Sequence, residues 1–298
     1  MNILITGAWN CTREQMNQIS DLGHRIFFLQ NEKDPLPLPY EQVEGIICNG
    51  LFLHHPVRKF TNLKYVQLTS AGFDRVPLEY LRENGVAVFN ARGVYSIPMA
   101  EFAVCGVLQL YKQSRFFEEN RKKRIWEKHR GLLELSGKKV CILGCGSVGT
   151  ECAKRFAAFG CSVIGVDLHP GQDASYEKIL PLSCLEDQLP ETDILILTLP
   201  LTEKSREFIS SRRLEKMKKG AVLVNIARGP VVDIQALIRW LQEAQGAAVL
   251  DVFEEEPLSE NSPLWKLDNV ILTPHNSFVG EGNSRRLFDV IIKNLGKL

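Results

Sequence analysis

Three residues in the second half of the chain have the types that could move a proton beside a carbonyl: Arg228, Glu256 and His275. A histidine titrates near neutrality, so it can deliver a proton and take it back. A carboxylate beside it stabilises the imidazolium and holds the ring. An arginine keeps its charge at any working pH, so it suits gripping a carboxylate and polarising a carbonyl. Singly, each has a plainer reading. Arg228 could only pair with an acid, Glu256 could be one of three solvated acids, and His275 could be a satisfied loop histidine. What joins them is position. Each follows an apolar run that reads as a strand: Ala221–Ala227, Ala247–Val252 and Val270–Thr273. The carboxyl ends of parallel strands share one edge, where ligands bind. Together on such an edge, the three favour hydride transfer coupled to proton transfer.

The unit that must position them begins at Lys139, reading KVCILGCGSVGTECAKRFAAFGCSVIGVD to Asp167. An apolar strand ends at Gly144, and Gly144, Gly146 and Gly149 form G-x-G-x-x-G. A helical pattern follows, then a second apolar run closing in Asp167. Each part suits a dinucleotide. Gly144 permits the sharp turn, Gly146 keeps side chains away from a pyrophosphate, and Gly149 lets helix and strand pack. The helix N-terminus, with Ser147 and Val148, offers N–H groups to phosphate. Asp167, 18 residues after Gly149, can accept from both hydroxyls of a ribose. A glycine-rich turn in an ordinary α/β domain is the alternative, and it leaves Asp167 to chance. Because Asp167 repels a 2′-phosphate and Leu168 offers no cation, NADH is expected over NADPH.

The rest of the chain supports an α/β fold. Strand patterns at 2–6, 24–29, 44–49, 64–69 and 86–90 are interleaved with helical patterns at 12–22 and 77–84. Such alternation implies a parallel sheet with covered faces. Pro35, Pro37 and Pro39 mark an irregular connection. The turn Ser70-Ala71-Gly72-Phe73-Asp74 follows a strand; its N–H groups could hold a carboxylate, though a plain turn fits as well. Pro98 opens a long helix expected from Met99 to about Phe117, apolar on most faces and therefore buried, between domains or on a second subunit. The basic run 121–130 around Trp126 reads as a solvated arm or loop rather than a binding patch, since Glu118, Glu119 and Glu127 dilute it. The stretch from about Gly282 is an amphipathic helix with room to return to the first domain.

With 298 residues, net charge +1, 45% hydrophobic and 24% charged content, composition points to one or two ordinary domains. It gives no reason to expect a nucleic-acid or membrane partner. The N-terminal MNILITGAW reads as a strand, not a signal peptide. The eight cysteines form no C-x-x-C pair and read as free thiols in a cytoplasmic protein, and no metal is expected. Cys145 in the glycine loop is either a thiolate favoured by the helix dipole or a small filler.

These segments carry a resemblance. Gly144–Gly149 with Asp167, Asn225-Ile226-Ala227-Arg228-Gly229, Leu250-Asp251-Val252-Phe253 through Glu256-Pro257, and Thr273-Pro274-His275 stand in the order seen in NAD-dependent D-2-hydroxyacid dehydrogenases. The branch it resembles holds phosphoglycerate dehydrogenase and glyoxylate/hydroxypyruvate reductase. Ser70–Asp74 and Gly93–Glu101 are similar to the family's other two signatures. The resemblance implies a Rossmann-type NAD-binding domain at 98–276. It implies a smaller flavodoxin-like substrate domain at 1–97 with 277–298, and a homodimer to which the Met99 helix contributes. It further implies that NAD is held by Gly144, Gly146, Ser147, Val148, Gly149, Asp167, Leu199, Pro200, Ile226, Ala227, Arg228, Asp251 and His275. Substrate would be gripped by Arg228, His275 and the backbone of Ser70, Ala71 and Gly72. His275 would be the acid/base and Glu256 its partner. The substrate would be a small 2-ketoacid or 2-hydroxyacid, with its pocket partly formed around Leu51–His55 and Tyr95. No basic residue is clearly placed for a substrate phosphate. An NAD-sensing regulator or scaffold, like the C-terminal binding proteins, is the alternative, since such proteins can retain all three polar residues.

Overall fold

The computed structural model describes residues 1–297. The chain divides into two compact units: Met1–Tyr95 with the chain from Gly280 onward, and Ser96–Val279.

The first unit contains β1 (Asn2–Thr6), α1 (Arg13–Asp21), β2 (Arg25–Leu29), β3 (Gly45–Cys48), β4 (Tyr65–Leu68), α2 (Leu78–Glu83) and β5 (Ala87–Phe89). Its strands pair in parallel in the order β2-β1-β3-β4-β5. This is the flavodoxin-like order, whose switch point lies between β1 and β3. The strands are continuous apolar runs because both faces are covered. Successive side chains alternate: Leu4, Ile46 and Val66 enter one core, and Ile3, Ile5, Ile47 and Tyr65 the other. The second core is closed by the last helix, Asn283–Leu295, through Leu287, Phe288, Ile291 and Leu295. Its rotation is fixed by Asn294, whose Nδ2 donates to Oε1 of the fully buried Gln67 at 2.9 Å.

The second unit contains α3 (Ser96–Tyr111), α4 (Ser114–Lys123), β6 (Lys139–Leu143), α5 (Ser147–Ala158), β7 (Ser162–Asp167), β8 (Lys178–Pro181), α6 (Leu185–Gln188), β9 (Ile194–Leu197), α7 (Ser211–Lys216), β10 (Ala221–Asn225), α8 (Ile234–Gln242), β11 (Gly246–Leu250) and β12 (Val270–Leu272). The helix Asn283–Leu295 of the first unit is then α9. Seven parallel strands run in the order β12-β11-β10-β9-β6-β7-β8. The order reverses between β6 and β9, which opens the switch-point crevice of a Rossmann-type sheet. Residues of α3 and α5 build the core on one face, and residues of α6, α7 and α8 that on the other. A Cβ at Gly106 would lie 2.5 Å from Val249 Cγ1, so α3 sits tightly on β11.

Two local expectations needed revision. The helix expected from Met99 to about Phe117 starts at Ser96 and stops at Tyr111; Gln113, at φ 53°, turns the chain left-handed before α4 begins. Residues 121–123 of the basic run are therefore helical, and no regular element covers 124–136. Within that segment Trp126 is 97% exposed. The edge strand β8 and the short helices α6 and α7 carried no readable pattern.

Candidate active site

The glycine loop is held from three sides. Gly144 adopts φ 99°, and Thr198 Oγ1 donates to its carbonyl at 2.6 Å. A Cβ at Gly149 would lie 2.1 Å from Gly144 O, so only glycine lets α5 close on the turn. A Cβ at Gly146 would meet nothing within 4 Å, so the space over the loop is open where a pyrophosphate would lie. Asp167, at the end of β7, accepts from the Cys145 N–H through Oδ2 at 2.6 Å and from the His169 N–H through Oδ1 at 2.9 Å. Each carboxylate oxygen retains a lone pair for a ribose hydroxyl. These features fit a dinucleotide.

Cys145 fits the small-filler alternative. Burial first, and the nearby Asp167 charge as well, push its thiol up to about 11. Its sulfur fills the gap above Gly165, where a Cβ would come within 2.4 Å of it. Tyr176 packs behind the same loop, its hydroxyl 3.1 Å from where a Gly149 Cβ would stand. Neither Thr198 nor Tyr176 stood out in the sequence; Thr198, directly after an apolar strand, offered the only positional signal.

Leu199 and Pro200 follow β9 on the same edge, with Leu199 half-buried and Pro200 exposed. The side chains of Ile226 and Ala227 are both buried, one in each core, which leaves their backbone at the edge. The turn after β10 is closed by Asn225, which accepts from the Ala227 N–H and donates to the Arg228 carbonyl, both at 3.1 Å. Arg228 Nη1 donates to the Ala227 carbonyl at 2.7 Å. At Gly229 a Cβ would lie 2.0 Å from the Phe253 carbonyl carbon. That absent side chain lets the turn carrying Arg228 press against the loop carrying Glu256.

Glu256 Oε2 lies 2.8 Å from His275 Nδ1, and Oε1 accepts from the Phe253 N–H at 3.0 Å. Burial works to raise the Glu256 carboxyl, but the Phe253 N–H, the His275 contact and the Arg228 charge prevail and hold it below the ordinary range. The structure thus brings the three sequence-derived polar residues to one edge. His275 adopts φ 51°, with its N–H donating to the carbonyls of Asp251 and Thr273.

Asp251, expected at the cofactor, is fully buried. Its carboxylate accepts from Thr273 Oγ1 and the Asn276 N–H at 2.7 Å and from the Ser277 N–H at 3.0 Å. It is the anchor of the turn carrying His275, a role the sequence did not reveal.

In the first unit, the carbonyls of Ser70, Ala71 and Gly72 are taken by the Ala91 N–H, Asn90 Nδ2 and Ser70 Oγ. Their N–H groups have no partner among the described residues. His55 lies in the segment expected to form part of the substrate pocket. It is buried, with Nδ1 accepting from Tyr40 OH and Nε2 donating to the Glu32 carbonyl. Among the described residues no group of three or more His, Cys, Asp or Glu could hold a metal ion. No described helix is long and apolar enough to cross a membrane.

Residues 104–277 match the profile of the D-isomer specific 2-hydroxyacid dehydrogenase NAD binding domain. The chain is 35% identical over 243 residues to a glyoxylate reductase of Thermofilum pendens, covering 78% of this chain and 71% of that one. It is 33% identical to a D-3-phosphoglycerate dehydrogenase of Methanocaldococcus jannaschii, but spans 47% of its length. Among solved structures, a D-isomer specific 2-hydroxyacid dehydrogenase family protein of Aeromonas salmonicida superposes with a TM-score of 0.83 at 27% identity, over 99% of this chain and 94% of that one. Glycine loop, sheet order and sequence likeness converge: the chain belongs to the NAD-dependent D-isomer specific 2-hydroxyacid dehydrogenases.

Proposed function

We propose that the protein reduces a small 2-ketoacid with NADH, with His275 delivering the proton. The observation that carries this is the His275–Glu256 pair, 2.8 Å apart on the glycine-loop edge of the sheet. The chemistry a bound NAD supplies is hydride exchange at the substrate's C2. With Nδ1 turned to Glu256, His275 keeps Nε2 for the ketone oxygen, protonating it in reduction and accepting the proton in oxidation. Glu256 favours the imidazolium by its charge and fixes the ring. Arg228 grips the substrate carboxylate and polarises the carbonyl. The unpartnered N–H groups of Ser70, Ala71 and Gly72 support a second hold on that carboxylate.

Gly144, Gly146, Ser147, Val148 and Gly149 hold the pyrophosphate, and Asp167 the ribose. The backbone of Leu199, Pro200, Ile226 and Ala227 lines the nicotinamide end. The second unit, Ser96–Val279, serves the cofactor and the first serves the substrate. A homodimer is supported by exposed apolar residues around the 124–136 segment, where Phe117, Ile125, Trp126, Leu132 and Leu133 lack cover. It is also supported by a groove of about 500 Å³ along α3 and α5, lined by Val104, Cys105, Leu108 and Phe159. Eight free cysteines suit a reducing cytoplasm. Turnover of NADH with a panel of 2-ketoacids tests the proposal. Saturable reduction of at least one supports it, and NADH binding with no turnover on any overturns it.

A further inference from the structure

The carboxyl edge of the small sheet holds a second constellation. Three donors converge between β1 and β3: the hydroxyl of buried Thr6 and the N–H groups of Asn49 and Gly50. In a sheet ordered β2-β1-β3-β4-β5 this is the switch point, where such donors ordinarily meet a ligand's anion. Here the chain supplies its own. Glu32, after β2, accepts from Thr6 Oγ1 at 2.8 Å and from the Asn49 N–H at 2.7 Å through Oε1, and from the Gly50 N–H at 2.7 Å through Oε2. Its backbone carbonyl is held by buried His55, which Tyr40 holds in turn. Glu32 is therefore tied at both ends to the segment 49–55.

That segment lies beside the turn proposed to grip substrate. Strand β3 pairs with β4, and the Thr69 N–H donates to the Cys48 carbonyl, so Asn49 and Ser70 leave neighbouring strands. Leu53 is 63% exposed, His54 is exposed and Phe52 is half-buried. If a carboxylate rests on Ser70–Gly72, the substrate's other end extends over an adjacent loop. A backbone loop released from two charge-assisted hydrogen bonds samples other conformations.

We propose that Glu32 is a positioning residue that plugs the switch point of the small sheet and, through the Asn49 and Gly50 N–H groups, sets the loop that selects the substrate side chain. This rests on the reduction proposed above, but part of its test does not. Amide hydrogen exchange, read with no substrate present, should show Asn49 and Gly50 protected in the parent and fast in Glu32→Ala. Steady-state kinetics on the 2-ketoacid panel should then show KM rising about tenfold, as expected for loss of hydrogen bonds to a charged group, with a smaller change in kcat. NADH affinity should be unchanged and the rank order of ketoacids altered. Added formate, a small carboxylate that fits the vacated donors, should restore both exchange protection and KM. Glu32→Gln, which keeps one acceptor oxygen, should lie between parent and Glu32→Ala, and takes its place if that variant does not fold. Unchanged KM and rank order with fast exchange would make Glu32 merely structural and overturn the proposal, as would unchanged exchange. A parent with no turnover would instead remove the reduction reading, with the exchange result still deciding the clamp.

Discussion

At the residue scale, the two neighbours Arg228 and Glu256 should fail in different ways. Changing Arg228 to Lys should harm substrate KM and kcat together, since an ammonium lacks the guanidinium's two-pronged contact. Changing Glu256 to Gln should move the fall of reductive activity to lower pH. The sign follows from charge: Glu256, held below the ordinary carboxyl range, stays ionised at neutral pH and favours imidazolium, and the neutral amide does not. A pH–rate profile that stays in place or moves to higher pH would contradict that. Cys145 gives a separate check. With its thiol pushed up to about 11, Cys145 stays protonated at pH 8. Mass spectrometry after brief iodoacetamide treatment should find Cys145 unmodified in the folded protein and modified once the chain is unfolded.

At the element scale, the site consists of turns that follow parallel strands, each locked by its own device. Gly149 shows the tightest tolerance: a methyl there meets Gly144 O at 2.1 Å, so Gly149→Ala should cost about 1–3 kcal/mol and weaken NADH binding. Thermal unfolding and fluorescence titration read the two effects. Asp251→Ala would leave the Asn276 and Ser277 N–H groups without their acceptor, at about 1–3 kcal/mol for each group left unpaired. His275 kinetics should fail with it even though His275 is intact. Such a role was not legible in the sequence. An acid at a strand end can face the ligand edge or fold back on the following turn, and only coordinates distinguish these. Strand ends, glycine loop and the polar trio were legible because long apolar runs bounded by glycine and charge leave few alternatives. The strand β8 was not, since a four-residue half-exposed edge strand ending in Pro181 shows neither period. The break between α3 and α4 was hidden too, because it rests on one left-handed glutamine rather than a glycine or proline.

At the scale of the whole molecule, the first unit is closed by a helix that arrives from the far end of the chain. Ending the protein before Asn283 would uncover Ile3, Ile5, Ile47 and Tyr65 and leave Gln67 without its Asn294 donor. The first unit of such a truncation should be rapidly proteolysed, even if the second, with its own two cores, still binds NADH. Sedimentation should show the parent as a dimer that Trp126→Ser loosens. Domain order and family were readable from the succession of motifs; for the proposed self-association the residues themselves offered only the apolar character of α3, because an interface is a property of a surface. The central claim is that proton transfer by His275 completes hydride transfer on a 2-ketoacid, and His275→Ala tests it most directly. Its steady-state reduction rate should fall by about 10²–10⁴-fold while NADH affinity stays near that of the parent. Reduction by this variant at the parent rate would contradict the account.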